Sequence, residues 1–120
     1  MRSTRLRTGV LAIAPIGVLL LASGCSSSPK ASCSEPRATT TVSIADMRFS
    51  PGCVTASSTA TLTVENGDSL PHTFTIQGTD TDVSIDPGKT ASVPLSGLAP
   101  GTYPVICRFH PQMVEDLRIA

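Results

Sequence analysis

From Thr41 onward, apolar residues recur at a spacing of two. Val42 and Ile44 alternate with Thr41, Ser43 and Ala45, Leu62 and Val64 with Thr61, Thr63 and Glu65, and Phe74 and Ile76 with Thr73, Thr75 and Gln77. Val83 with Ile85 and Val93 with Leu95 form shorter pairs. Tyr103, Val105 and Cys107 share one face of a later segment, and Leu117 and Ile119 complete the series. Period two with polar residues between describes strands buried on one face. Turn sequences separate these runs: Ser50-Pro51-Gly52, Asn66-Gly67-Asp68, Asp86-Pro87-Gly88 and Ala99-Pro100-Gly101. The pattern predicts an all-β, antiparallel Greek-key sandwich of about seven or eight short strands. No segment sustains a helical period. Pro94 and Pro104 fall inside strand patterns and, lacking an N–H, are predicted at a sheet edge or a bulge.

The chain has 120 residues, enough for one domain with a modest core. Charged residues make up only 15% and aromatic residues 3%, and Trp is missing, a mixture that suits short strands and tight turns. A formal net charge of zero supplies no basic face for nucleic acid.

The N-terminal residues change the picture. Arg2, Arg5 and Arg7 precede an apolar run from Gly9 to Ala22, interrupted by Pro15 and Gly17. That run is short for a membrane-spanning helix, which needs about 20 apolar residues, and suits a secretory signal. Ala22-Ser23-Gly24-Cys25 resembles the lipobox of bacterial lipoproteins, although the leucine usual at its first position stands one residue early, at Leu21. The resemblance implies that Cys25 is lipidated and becomes the mature N-terminus, tethering the protein to the outer face of the bacterial cytoplasmic membrane. An ordinary cleaved signal with a spare cysteine is the alternative. Residues 1–24 are read as signal peptide, 25–39 as tether and N-terminal segment, and 40–120 as the folded domain. Cleavage before Cys25 leaves six basic against nine acidic residues, a net charge of −3 that slightly favours a basic docking partner. A monomer is expected.

Export into an oxidising compartment makes each thiol informative. With Cys25 lipidated, Cys33, Cys53 and Cys107 remain, and three cannot all pair. Cys107 lies between a strand pattern and two candidate ligands, so a Cys33–Cys53 disulfide is predicted. The competing pair, Cys53–Cys107 across the sandwich as in immunoglobulin domains, wants a core Trp and a Tyr two residues before the second cysteine; Tyr103 precedes Cys107 by four.

The chain holds two histidines, His72 and His110. Cys107-Arg108-Phe109-His110-Pro111-Gln112-Met113 places thiol, imidazole and thioether at spacings of three and three, while His72 opens the strand Pro71-His72-Thr73-Phe74. Two imidazoles and a thiolate with a weak axial Met make up the ligand set of a type 1, blue-copper electron-transfer site. Thiolate and thioether suit copper(I), and imidazole and thiolate suit copper(II), so such a site rearranges little when an electron moves. With no vacant position it is expected to shuttle charge rather than act as an enzyme.

These residues resemble the cupredoxins, and within them the amicyanin type. The resemblance spans roughly Val42 to Ile119. It rests on Met47-Arg48-Phe49-Ser50-Pro51 after the first strand, Asn66 six residues before His72, Leu70-Pro71-His72-Thr73-Phe74, Gly101-Thr102-Tyr103, and the Cys-x2-His-x2-Met loop. It implies that His72, Cys107, His110 and Met113 hold one copper ion and that Asn66 braces the ligand loop. It implies also that redox partners dock near the edge of His110. Amicyanin-type loops carry proline where this chain has Phe109. The Cys107 sulfur is therefore expected to accept bonds from the N–H groups of both Thr73 and Phe109, which would favour the reduced state. The Cys33–Cys53 pair is a second departure.

Other readings are weaker. Asp80, Asp82 and Asp86 read as a solvated edge, with calcium the alternative. Met47, Phe49 and Phe74 read as packing; Tyr103 does too, its hydroxyl bonding nearby backbone. No Gly-x-Ser-x-Gly turn or phosphate loop exists. Two rivals to an electron carrier keep the same fold: a cell-surface module that captures or delivers copper through the same ligands, and a metal-free interaction domain.

Overall fold

The computed structural model describes residues 33–120. The signal run, Cys25 and the tether to Ser32 lie outside the described residues. Ten strands follow in order: β1 (Arg37–Ala38), β2 (Thr41–Ala45), β3 (Arg48–Ser50), β4 (Cys53–Ala56), β5 (Thr61–Asn66), β6 (His72–Ile76), β7 (Asp82–Ile85), β8 (Thr90–Pro94), β9 (Gly101–Ile106) and β10 (Val114–Ile119). They form two sheets, one ordered β1-β4-β10-β9-β6-β7 and the other β3-β2-β5-β8. The all-β sandwich expected from the alternating pattern is therefore the fold.

The alternating residues fill the space between the sheets. Val42, Ile44, Leu62, Val64 and Val93 come from the four-stranded sheet, and Phe74, Ile76, Val105, Leu117 and Ile119 from the six-stranded one; all are buried. Phe49 meets Phe74 edge to face, with ring centroids 5.7 Å apart and planes at 82°, a favourable aromatic geometry.

Three features depart from the sequence expectation. The sheets are mixed rather than purely antiparallel, because β1 pairs parallel with β4, β4 with β10, and β2 with β5. The chain changes sheets at Ser50-Pro51-Gly52, between β3 and β4, and a strand that arrives by crossing over need not oppose its new neighbour as a hairpin must. β4 carries little alternation because Cys53, Val54 and Ala56 are all buried. Pro94 ends the edge strand β8, as predicted, whereas Pro104 sits in β9, between β10 and β6. Its position is tolerated through register. Pro104 faces Asp116 of β10, whose N–H turns the other way to Gly52 O. The backbone of Pro104 therefore faces β6, where its carbonyl takes the Gln77 N–H just past the strand end. The missing donor falls where the ladder has already stopped.

Cys33 and Cys53 form the predicted disulfide, with Cα atoms 5.2 Å apart. Cys107 is free and buried, which excludes the Cys53–Cys107 alternative. Tyr103 donates its hydroxyl to Ala99 O at 2.7 Å.

Candidate metal centre

β9 ends one residue before Cys107, β10 starts one residue after Met113, and β6 begins at His72. Because β6 runs antiparallel to β9, with Thr75 level with Ile106, the first residues of β6 lie beside the loop that follows β9. The loop is wound tightly. Cys107 O accepts from His110 N–H at 3.3 Å, His110 O accepts from Met113 N–H at 2.9 Å, and Cys107 N–H reaches Met113 O at 3.3 Å. Two successive turns thus close on a neck that continues the β9–β10 ladder.

This folding brings Cys107, His72 and His110 together. Nδ1 of His72 and Nδ1 of His110 each lie 3.7 Å from the Cys107 sulfur, and the ligand atoms of all three residues fall within 4.8 Å of one another. The two imidazole rings are tilted at 55°, with centroids 4.9 Å apart. Cys107 and His72 are fully buried, Met113 is buried on the same loop, and His110 is half-buried at the surface. Among the described residues no other group of His, Cys, Asp or Glu side chains converges with metal-holding geometry, and Asp80, Asp82 and Asp86 do not come together as one.

The two sulfur–nitrogen spacings fit a trigonal cation. Bonds of about 2.0–2.1 Å to nitrogen and about 2.3 Å to sulfur, opened to about 120°, place nitrogen and sulfur about 3.8 Å apart. The observed 3.7 Å matches for both histidines. One soft thiolate and two borderline imidazoles, with the thioether of Met113 buried on the same loop, form a donor set chemically suited to copper.

The surroundings fix the donors. Thr73 N–H donates to the Cys107 sulfur at 3.3 Å, as expected. The Phe109 N–H makes no hydrogen bond to that sulfur here; the Phe109 ring is exposed, with the Arg108 guanidinium 5.6 Å above it. The expected second bond from the loop thus has no counterpart in this geometry. Asn66 is buried, and its amide nitrogen lies 2.8, 3.0 and 3.2 Å from the carbonyls of Leu70, Ile85 and Asp86, while its oxygen accepts from Asp68 N–H at 2.9 Å. It therefore braces the loop leading to His72 rather than the loop carrying the other ligands.

Sequence reading missed Asp68. Its carboxylate lies 2.9 Å from His72 Nε2 and accepts backbone N–H bonds from Asp46 at 2.8 Å and Met47 at 2.9 Å. The Met47 N–H, with His72 adding to it, holds this carboxyl below the usual carboxylate range. An ionised carboxylate only accepts, so Nε2 of a neutral His72 keeps its proton and Nδ1 presents a lone pair toward Cys107. A signal was available: Asp68 stands four residues before His72, but within Asn66-Gly67-Asp68 it reads as turn punctuation.

Glu115 was also missed. It points into the core from β10 between Leu117 and the ligand loop, fully buried, and neither carboxyl oxygen has a hydrogen-bond partner. Desolvation, helped by the Asp116 charge, pushes its pKa up to about 8.

Known structures share this architecture. Amicyanin from Paracoccus versutus aligns over 73% of this chain and 87% of its own length, at 19% identity and a TM-score of 0.58. A purple cupredoxin from Nitrosopumilus maritimus aligns over 68% of this chain and 100% of its own, at 18% identity and a TM-score of 0.57. A copper-containing nitrite reductase from Thermus scotoductus matches 72% of this chain at 20% identity and a TM-score of 0.57; the match spans 23% of that longer enzyme. No curated protein sequence matches significantly. At such identities the likeness establishes the fold. The sequence model of the cupredoxin-like domain, however, matches residues 12–115, nearly the whole chain, and the protein therefore belongs to the cupredoxin-like family.

Proposed function

We propose that this is an exported electron carrier that holds one type 1 copper ion through His72, Cys107, His110 and Met113. The observation that carries the reading is the convergence of two Nδ1 atoms on a buried, unpaired thiol, each at 3.7 Å, in a member of the cupredoxin-like family. Bound copper supplies a one-electron couple. The protein's own residues do the rest. Cys107, His72 and Met113 are shielded from water, Thr73 N–H withdraws charge from the thiolate, and Asp68 fixes the His72 ring. Rigid donors suit a centre whose coordination must serve two oxidation states.

His110 is the ligand nearest solvent, and Leu70 and Phe109, both exposed, flank the two histidines in sequence. These two exposed apolar side chains support docking of a redox partner near His110. The lipid anchor at Cys25 adds a constraint. Cys33, eight residues after Cys25, is bonded to Cys53, which is level with Asp116 in the half of β10 nearer Met113. A partner at the same membrane surface fits that attachment.

The test is addition of copper(II) to the purified protein. An intense blue or purple thiolate band is expected, and the Cys107→Ser variant should lose it while keeping its fold. A colourless wild-type complex would remove the proposal. Copper dissociation rates in both oxidation states separate a carrier, which retains the ion, from a delivery protein, which releases it to a receiver.

A further inference from the structure

One closed hydrogen-bonded ring lies beside the ligand loop. The Arg108 guanidinium grips Asp82 at both carboxylate oxygens, with Nε to Oδ1 at 3.0 Å and Nη2 to Oδ2 at 2.9 Å. The Thr75 hydroxyl lies 2.8 Å from Asp82 Oδ1, the Thr73 and Thr75 hydroxyls are 2.9 Å apart, and the Thr73 hydroxyl lies 2.9 Å from the backbone nitrogen of Arg108. The path begins and ends on the same residue, immediately after Cys107.

The proton directions follow from chemistry. A carboxylate can only accept, so Thr75 donates to Asp82. Thr75 has then spent its single proton, so Thr73 donates to Thr75. The Thr73 oxygen is left with lone pairs for the Arg108 N–H. Thr73 is fully buried, and its own N–H is the group that bonds the Cys107 sulfur. A single residue of β6 therefore grips both the thiol of residue 107 and the amide of residue 108, and its hydroxyl is oriented by Asp82 on the neighbouring strand β7, paired opposite Thr75.

We infer that Asp82, Thr75 and Arg108 are positioning residues that set the placement of the Cys107 thiolate through Thr73. This rests on the copper reading given above for its spectroscopic consequence, but not for its mechanical one. An exposed ion pair alone contributes little in water. What distinguishes this pair is the relay of two hydroxyls, which carries its orientation to a buried residue at the site. The net charge of the Asp82–Arg108 couple is zero, so its influence lies in geometry more than in field.

The decisive variant is Thr75→Val, which keeps the ion pair and the β-branched shape but cuts the relay. In the full chain without metal, amide exchange at Arg108, whose acceptor Thr73 Oγ1 is no longer oriented by Thr75, should accelerate, by up to about tenfold if that bond is lost outright. With copper(II) added, the thiolate charge-transfer band and the copper hyperfine coupling should shift. Thr75→Ser should restore both. The double variant Asp82→Ala/Arg108→Ala, which preserves net charge and leaves Thr75 no acceptor at residue 82, should reproduce the Thr75→Val spectrum. Unchanged exchange at Arg108 in Thr75→Val would overturn the inference, as would faster exchange with an unmoved band. A wild-type chain that takes up no copper would remove the copper reading alone, and the exchange measurement would still decide whether the ring holds the loop.

Discussion

The Asp68 carboxylate stands 2.9 Å from Nε2 of His72, on the side of the ring opposite the Cys107 sulfur, which Nδ1 faces at 3.7 Å. It is anchored in turn by the N–H groups of Asp46 and Met47, two residues with left-handed φ angles of 51° and 55°. The β2–β3 turn thereby fixes a ring on β6. Carboxylate partners of this kind hold both tautomer and orientation. Asp68→Ala should weaken copper affinity about 10–100-fold, as measured by competition with a chelator. Unaltered affinity would mean that His72 is oriented by packing alone.

Asn66 ties the loop before His72 to the end of β7, with three carbonyls within reach of one amide nitrogen and the Asp68 N–H on its oxygen. Asn66→Ala strands several buried backbone groups. Each unsatisfied buried group costs about 1–3 kcal/mol, so a loss of roughly 2–4 kcal/mol is expected in denaturant unfolding. The copper-loaded protein should also show a broadened spectrum, because Asp68 loses its brace.

The disulfide joins residues 20 apart in sequence. Loop-closure entropy assigns such a link about 3 kcal/mol. The double variant Cys33→Ser/Cys53→Ala should lose about that much stability in urea, with its copper spectrum unmoved, since neither sulfur belongs to the ligand cluster. A spectral change would show that the N-terminal clamp reaches the site through β4 and β10.

How far the sequence disclosed this molecule depended on what each residue answers to. Val42, Leu62, Phe74 and Val105 alternate with polar neighbours because one face of each strand meets water, so their strands were legible. β4 lacked that contrast, its residues Cys53, Val54 and Ala56 being buried, and its parallel pairing with β10 depends on a crossover that no local pattern records. Cys107, His110 and Met113 were legible as a set because their spacing lies within one loop. Asp68 was not, since its partners come from other loops and strands. Asp82 read as a solvated edge residue, and its bonds to Thr75 and Arg108 join groups 7 and 26 positions away. Glu115 contradicts the pattern outright, occupying a core position where alternation calls for an apolar side chain.

That contradiction gives a pH prediction with a definite sign. Burial raises the Glu115 pKa from 4.5 to about 8, so between those values the folded chain keeps a proton that the unfolded chain has released. Stability then falls as pH rises through that window, at a limiting slope of about 1.4 kcal/mol per unit. Below the unfolded pKa the carboxyl is neutral in both states and costs only its unmet hydrogen bonds. Near pH 7 the accumulated penalty is on the order of 3 kcal/mol. Glu115→Gln removes the charge but keeps the shape, and should flatten the dependence of the urea midpoint on pH between 5 and 8. Glu115→Leu should in addition raise stability at pH 7, because a similar volume is filled with no polar atom left unpartnered. A wild-type stability that stays level across that interval would mean the carboxyl finds a partner in solution, and the gain from leucine would vanish with it.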